Sequence, residues 1–214
     1  MNAKQEILSR VRTALRDTTG QPEPVVAWQY HRPTPLADVL ATFVENIVEY
    51  GASIVRVTAA EVPEAIASAL ATLGASSVVL PPGAPGQWRR RLADEGLDVF
   101  DDDPPLSAAE LDRIDAVVTG SAVCMAETGT ICLDHGPDQG RRVLTLVPDR
   151  HVCVVRAADV VSDVPEAIQR LGAAVRAGRP VTWISGGSAT SDIELSRVEG
   201  VHGPRKLSVV LQDG

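Results

Sequence analysis

Three short stretches of this chain carry residues able to do chemistry, and all lie in its second half. The first is Ala126-Glu127-Thr128-Gly129-Thr130, a carboxylate placed just before a glycine turn that opens an apolar run. Such a turn can hold a side chain at a sheet edge, where crevices form in open α/β folds. It can equally be a helix end completed by Thr and Gly. The second is Ile184-Ser185-Gly186-Gly187-Ser188-Ala189-Thr190-Ser191-Asp192-Ile193-Glu194. Two glycines between serines let backbone N–H groups converge on an anion or carboxylate, and Ser191 or Asp192 could cap a short helix. A flexible turn would read the same way. No Lys follows the glycines as a Walker loop requires, and the spacing is not that of a dinucleotide fingerprint. The third is Gly200-Val201-His202-Gly203-Pro204, which pins a histidine between glycines, for proton shuttling or for capping a neighbouring carbonyl.

The candidate catalytic residues are therefore Glu127 and His202. Thr128, Gly129, Ser185, Gly186, Gly187, Ser188, Asp192 and Glu194 are candidates for holding a substrate or anion. All are expected along one sheet edge, in one pocket. Glu127 could act as a covalent nucleophile, shielded by Val123, Met125 and Ile131, or could orient a hydroxyl or bind His202. Arg141 and Arg142 follow Asp134-His135-Gly136 and either meet an anionic ligand or form a solvated basic pair. His151, at a strand start, reads as structural. His135, His151 and His202 have none of the short spacings of a metal site, so no metal is expected.

The elements that must position these residues follow from periodicity. Ala3 to Arg16 is amphipathic, with Ile7, Leu8, Val11 and Leu15 on one helical face. Breakers at Gly20, Pro22 and Pro24 follow, then Trp28, Tyr30 and His31 as an aromatic anchor, so residues 1–33 read as an N-terminal helical arm. From residue 34 to 214 helix and strand alternate: helices over 36–50, 62–73, 87–95 and 164–175, strands over 53–57, 77–80, 98–100, 116–119, 181–184 and 207–211. The runs 130–133, 143–147 and 152–155 have little helix between them and are expected to add an antiparallel portion. The fold class is α/β, a mixed, mostly parallel sheet flanked by helices.

Composition narrows the function. Lys plus Arg number 20 against 28 Asp plus Glu, a net charge of −8, and aromatics are 3%. Neither suits a nucleic-acid binder. No apolar run approaches the ~18 residues of a membrane span, and the charges spread through Met1–Arg16 do not fit a secretory signal. Cys124, Cys132 and Cys153 form no C-x-x-C pair, pointing to a reducing, cytoplasmic setting and to core thiols. Three scattered cysteines do not supply the four thiolates of an iron–sulfur cluster.

Taken in order, Ala126–Thr130, Leu146-Val147-Pro148 with His151-Val152-Cys153-Val154-Val155, Ile184–Gly186 through Asp192–Glu194, and Gly200–Pro204 resemble the LUD-domain family of lactate-utilization proteins C, over most of the chain from about residue 35. Gly187 departs from the pattern, where members often carry Pro or another residue. The resemblance implies a fold similar to the sugar-phosphate isomerase and CoA-transferase superfamily. It implies a subunit or accessory role in oxidising L-lactate to pyruvate with two iron–sulfur partner proteins, the A and B types, which would carry the clusters while this chain binds no cofactor itself. The ligand would be a small carboxylate or other anion. The alternatives are a free-standing acyl- or CoA-transferase-like or sugar-phosphate-binding enzyme using Glu127, and a non-catalytic binding module.

Overall fold

A computed structural model describes residues 2–16, 25, 33–191, 197–200 and 202–214. The chain divides into two units, Met1–Tyr30 and His31–Gly214. In the first, helix α1 spans Ala3–Ala14 and starts at a reciprocal cap: Asn2 Oδ1 accepts from Gln5 N, and Gln5 Oε1 accepts from Asn2 N. The aromatic cluster expected to anchor the arm, Trp28, Tyr30 and His31, lies outside the described residues.

The second unit runs α2 (Val39–Glu49), β1 (Ser53–Val57), α3 (Val62–Leu73), β2 (Ser77–Leu80), α4 (Gly86–Asp94), β3 (Asp98–Asp101), α5 (Ala108–Leu111), β4 (Ala116–Thr119), β5 (Val123–Met125) and β6 (Thr130–Leu133). A 3-10 turn (Arg142–Thr145) leads to β7 (Arg150–Arg156), β8 (Val160–Val161), α6 (Val164–Arg176), β9 (Thr182–Ile184), β10 (Ala189–Ser191), β11 (Arg197–Glu199) and β12 (Lys206–Gln212). Six strands form the main sheet in the order β1-β12-β7-β4-β2-β3, and all five pairings are parallel. A four-stranded sheet has the order β8-β5-β6-β9, and β10 pairs antiparallel with β11.

The central strands β4, β7 and β12 are largely apolar on both faces because both are covered. Ala116, Val118, Val152, Val154 and Val210 face α3 and α4, joining Ile66, Leu70, Trp88 and Leu92. The alternate residues Cys153, Val155, Val209 and Leu211 face the other way, onto Phe43 and Ile47 of α2 and Ile131 and Leu133 of the second sheet. The site candidates lie on this second layer.

Two expectations are corrected. Residues 130–155 do not add antiparallel strands to one mixed sheet. The second sheet carries the antiparallel pairs β5–β6 and β6–β9, while β7 enters the middle of the parallel sheet. The run 143–147 is not a strand: Arg142–Thr145 forms the 3-10 turn, and Leu144 plugs a small core with Val79, Leu111, Ile114 and Val117.

The chain steps from β2 out to β3, then returns past β2 to β4, so the sheet order reverses between β2 and β4. Open parallel sheets bind ligands beyond the strand C-termini at such a point. Here the segment 134–140 leans on it. Gly83 N donates to Pro137 O and Gly120 N to Asp138 O. A Cβ on Gly83 would stand 2.5 Å from the Pro137 carbonyl carbon, so only glycine permits the approach.

Candidate functional site

The Glu127 turn is fixed on α2. Asn46 Nδ2 donates to Ala126 O at 2.8 Å and Glu127 O at 3.1 Å, while Ala126 N and Glu127 N donate to Val161 O and Ser162 O. Gly129 closes the turn at φ 55, where a Cβ would lie 2.8 Å from Asn46 Cβ, so both conformation and contact demand glycine. The expected apolar shield around Glu127 is not built. Val123, Met125 and Ile131 are spent in the cores, whereas Glu127 is exposed. Its Oε2 accepts from Thr34 Oγ1 at 3.4 Å, and the same hydroxyl reaches Asp163 Oδ2 at 3.1 Å. Asp163 is the buried N-cap of α6, accepting from Glu166 N.

The Ser-Gly-Gly-Ser segment leaves β9 and borders a cavity of about 320 Å³ together with His202, Gly203 and Pro204. Backbone bonds draw the two stretches together: Ser188 N donates to Pro204 O at 2.8 Å, Gly200 N to Ser188 O at 2.9 Å, and His202 N to Ser188 Oγ at 3.1 Å. Among the described residues the amides of Gly186 and Gly187 meet no acceptor. Ser185 Oγ lies 2.8 Å from Thr130 Oγ1, itself 2.8 Å from Thr128 Oγ1. The structure thus gathers Ser185, Gly186, Gly187, Ser188 and His202 around one cavity. Glu127, Thr128 and Gly129 do not line it; Thr128 is linked to it through Thr130 Oγ1 and Ser185 Oγ. Asp192 and Glu194 lie outside the described residues.

Further polar residues that border the cavity include Arg142, Thr145, His151 and Thr182. Arg142 and Arg141 part company. Arg141 binds Asp102 through two bonds of 2.6 Å and caps Leu106 O. Arg142 turns back on Thr145, donating to its carbonyl at 3.2 Å and its hydroxyl at 3.1 Å, and has no carboxylate partner among the described residues. Burial lowers its pKa, a sign of a cation held partly away from water. Adjacent basic residues opening a turn after a Gly/Asp-rich loop were the only trace of this in the sequence. His151 is fully enclosed, its Nε2 2.8 Å from Thr119 Oγ1, and burial pushes its pKa down to about 4, so the ring is neutral at physiological pH.

Arg142 also borders a second cavity, of about 690 Å³, at the C-terminal ends of β2 and β3, walled by prolines 82, 105, 137 and 180. His135 stands in its wall with φ 57, its Nδ1 2.8 Å from Gly140 O and its Nε2 2.8 Å from Thr182 Oγ1. The cysteines are core residues. Burial raises Cys124 well above its ordinary value and Cys132 and Cys153 to about 12, so all three remain thiols. Among the described residues no group of three or more His, Cys, Asp or Glu is arranged to hold a metal. None of the described helices is long and apolar enough to cross a membrane.

This architecture has solved and named counterparts. A crystal structure of a DUF162 family protein from Deinococcus radiodurans superposes with a TM-score of 0.72 at 50% identity, covering 84% of this chain and 100% of that one. A Deinococcus radiodurans protein named "Lactate utilization protein C" is 51% identical over 98% of this chain and 95% of its own length. A Bacillus subtilis protein of the same name is 24% identical over 97% of this chain and 95% of its own. The sequence profile of the LUD domain matches residues 40–212, from within α2 to the end of β12, and the chain belongs to the LUD-domain family.

Proposed function

We propose that this chain serves lactate utilization, as a subunit or accessory protein in the oxidation of L-lactate to pyruvate, and that the 320 Å³ cavity takes the small carboxylate. The observation that carries the role is the full-length relative, 51% identical, that bears the name "Lactate utilization protein C". The cavity adds chemistry suited to it. Arg142 supplies a cation without a carboxylate partner among the described residues, Gly186 and Gly187 supply amides that meet no acceptor among them, and Ser185 and Ser188 supply hydroxyls. A guanidinium partly removed from water attracts a carboxylate more strongly than one on an open surface.

Oxidation of a 2-hydroxy acid releases two electrons, and in this reading iron–sulfur partner proteins receive them. The three thiols of this chain are enclosed in two separate sheets and stay protonated, which supports placing the clusters in the partners.

Deletion of the gene, in a host also stripped of any other lactate dehydrogenase, should abolish growth on L-lactate and spare growth on pyruvate. A tagged copy recovered from lactate-grown cells should bring down iron–sulfur proteins. Complementation with Arg142→Met should fail while the variant stays folded. Normal growth of the deletion strain on lactate would refute the role. Full complementation by Arg142→Met would refute the cavity.

A further inference from the structure

One wall of the carboxylate cavity is Thr182, a buried residue only 8% exposed. Its hydroxyl lies 2.8 Å from Nε2 of His135, and the other ring nitrogen, Nδ1, lies 2.8 Å from the carbonyl oxygen of Gly140. A carbonyl only accepts, so Nδ1 carries the hydrogen. In the neutral ring Nε2 is then a bare lone pair, and Thr182 must give it its only proton. Thr182 Oγ1 has no other partner among the described residues. What remains on this wall residue is acceptor capacity alone. A threonine hydroxyl normally rotates to donate or accept as the occasion demands, and this one is locked as an acceptor.

The lock is held by backbone. Among the described residues His135 alone, apart from glycines, has a positive φ, 57°, a conformation that persists only where surrounding contacts impose it. Those contacts are present: Gln139 Oε1 accepts from Asp134 N at 2.7 Å, and Gly136 N donates to Asp134 Oδ1 at 3.1 Å. The serines across the cavity differ. Ser188 Oγ already accepts from His202 N and keeps its proton to give, and Ser185 Oγ shares a bond with Thr130 that either can donate.

We infer that Thr182, set by His135, reads the oxidation level of the ligand's second carbon, accepting the hydroxyl proton of a 2-hydroxy acid and disfavouring the carbonyl of the matching 2-oxo acid. The inference rests on the small-carboxylate reading of the cavity. A 2-hydroxy acid brings an O–H to the waiting lone pairs. A 2-oxo acid brings lone pairs against lone pairs, with no proton between them, and leaves a buried acceptor unpaired. Sites built around a substrate hydroxyl reject analogues lacking it for this reason. The cavity would then hold the reactant of the oxidation more tightly than its product and favour product release.

Titration of the purified full-length protein at pH 8 with L-lactate and with pyruvate, by calorimetry or NMR, tests this. L-Lactate should bind more tightly by roughly tenfold, the worth of one buried hydrogen bond. Thr182→Val should bring the two acids within about twofold, whereas Thr182→Ser should keep the preference. Nitrogen-15 correlation spectra of the His135 ring should show the Nδ1–H tautomer, a readout that holds whether or not the valine variant folds. Equal affinities for the two acids, a preference that survives Thr182→Val, or an Nε2–H tautomer would each overturn the inference. If both acids bind equally, the carboxylate reading stands and only this inference falls. If neither binds, both fall together.

Discussion

Replacing Arg141 by Met should cost far more than replacing its partner Asp102 by Asn. The two form a bidentate pair, but unequally enclosed: the Asp102 side chain is 3% exposed and the Arg141 side chain 39%. Burial by itself raises the carboxyl pKa; the Arg141 bonds and the Leu106 N–H outweigh it, leaving the pKa lowered overall. Without Arg141 the carboxylate keeps, among the described residues, the Leu106 N–H at 3.0 Å. Removing one member of a buried pair costs about 3–5 kcal/mol, because the other charge is left without compensation. Arg141→Met should therefore lose about 3–4 kcal/mol at pH 7. Asp102→Asn leaves a guanidinium that can turn to water, and should lose roughly 1–2 kcal/mol.

The pH dependence separates the two further. In Arg141→Met, burial without a counter-charge raises the folded pKa of Asp102 above its unfolded value of about 3.9. Between those two values the folded variant binds more protons than the unfolded chain. It then gains about 1.4 kcal/mol per unit of falling pH, and its deficit against wild type narrows. Asp102→Asn should show no such narrowing. Urea unfolding of the three proteins at pH 7, 6 and 5 measures this. Equal losses for the two variants, or a deficit for Arg141→Met that stays flat with pH, would refute the reasoning.

Gly129→Ala forces a Cβ into a left-handed position and onto Asn46; it should cost about 2 kcal/mol or more, seen as a Tm lower by roughly 4–8 °C in a thermal scan. Asp115, held mainly by the Ser76 N–H and then by the Ser76 and Ser77 hydroxyls and the Ser77 N–H, has its pKa lowered from 3.8 to about 2. Its contribution is complete above the ordinary carboxylate range and is lost as pH falls toward 2, so Asp115→Asn should flatten the acid limb of the urea midpoint against pH. Protein purified without oxygen should contain no stoichiometric iron or sulfide; finding both would contradict the assignment of clusters to the partners.

Much of the framework was legible because its elements are long and periodic. Helix α3 and strands β1, β2, β4 and β6 begin and end where hydrophobic pattern and turn residues place them. The pairing of β7 was not legible. His151-Val152-Cys153-Val154-Val155 is apolar on both faces, and such a run says that it is buried without saying between which neighbours. Strands β5 and β8, of three and two residues, are too short to show a period. At the site, the glycine-rich segment and His202 were visible by type and do meet. Arg142 was visible only as half of a basic pair with two readings, and the roles proposed for Thr182 and His135 were not visible, because each depends on a partner distant in sequence. Thr182 and His135 lie 47 positions apart, and nothing local marks either as facing a cavity.

Strand β12 lies between β1 and β7, with Val209 opposite both Ile54 and Cys153. Among the described residues the first strand of the main sheet therefore has one paired neighbour, which leaves the ribosome more than 150 residues later, at Ser208 for Ser53. During synthesis β1 must wait, its edge and the Val155–Leu211 layer of the core uncovered, until almost all of the chain has emerged. Such long-range closure is slow and exposes aggregation-prone edges while it is pending. A stall or truncation before Lys206 would strip not one edge strand but the seam joining β1 to the rest, so partial chains of this protein should be chaperone clients rather than folded fragments.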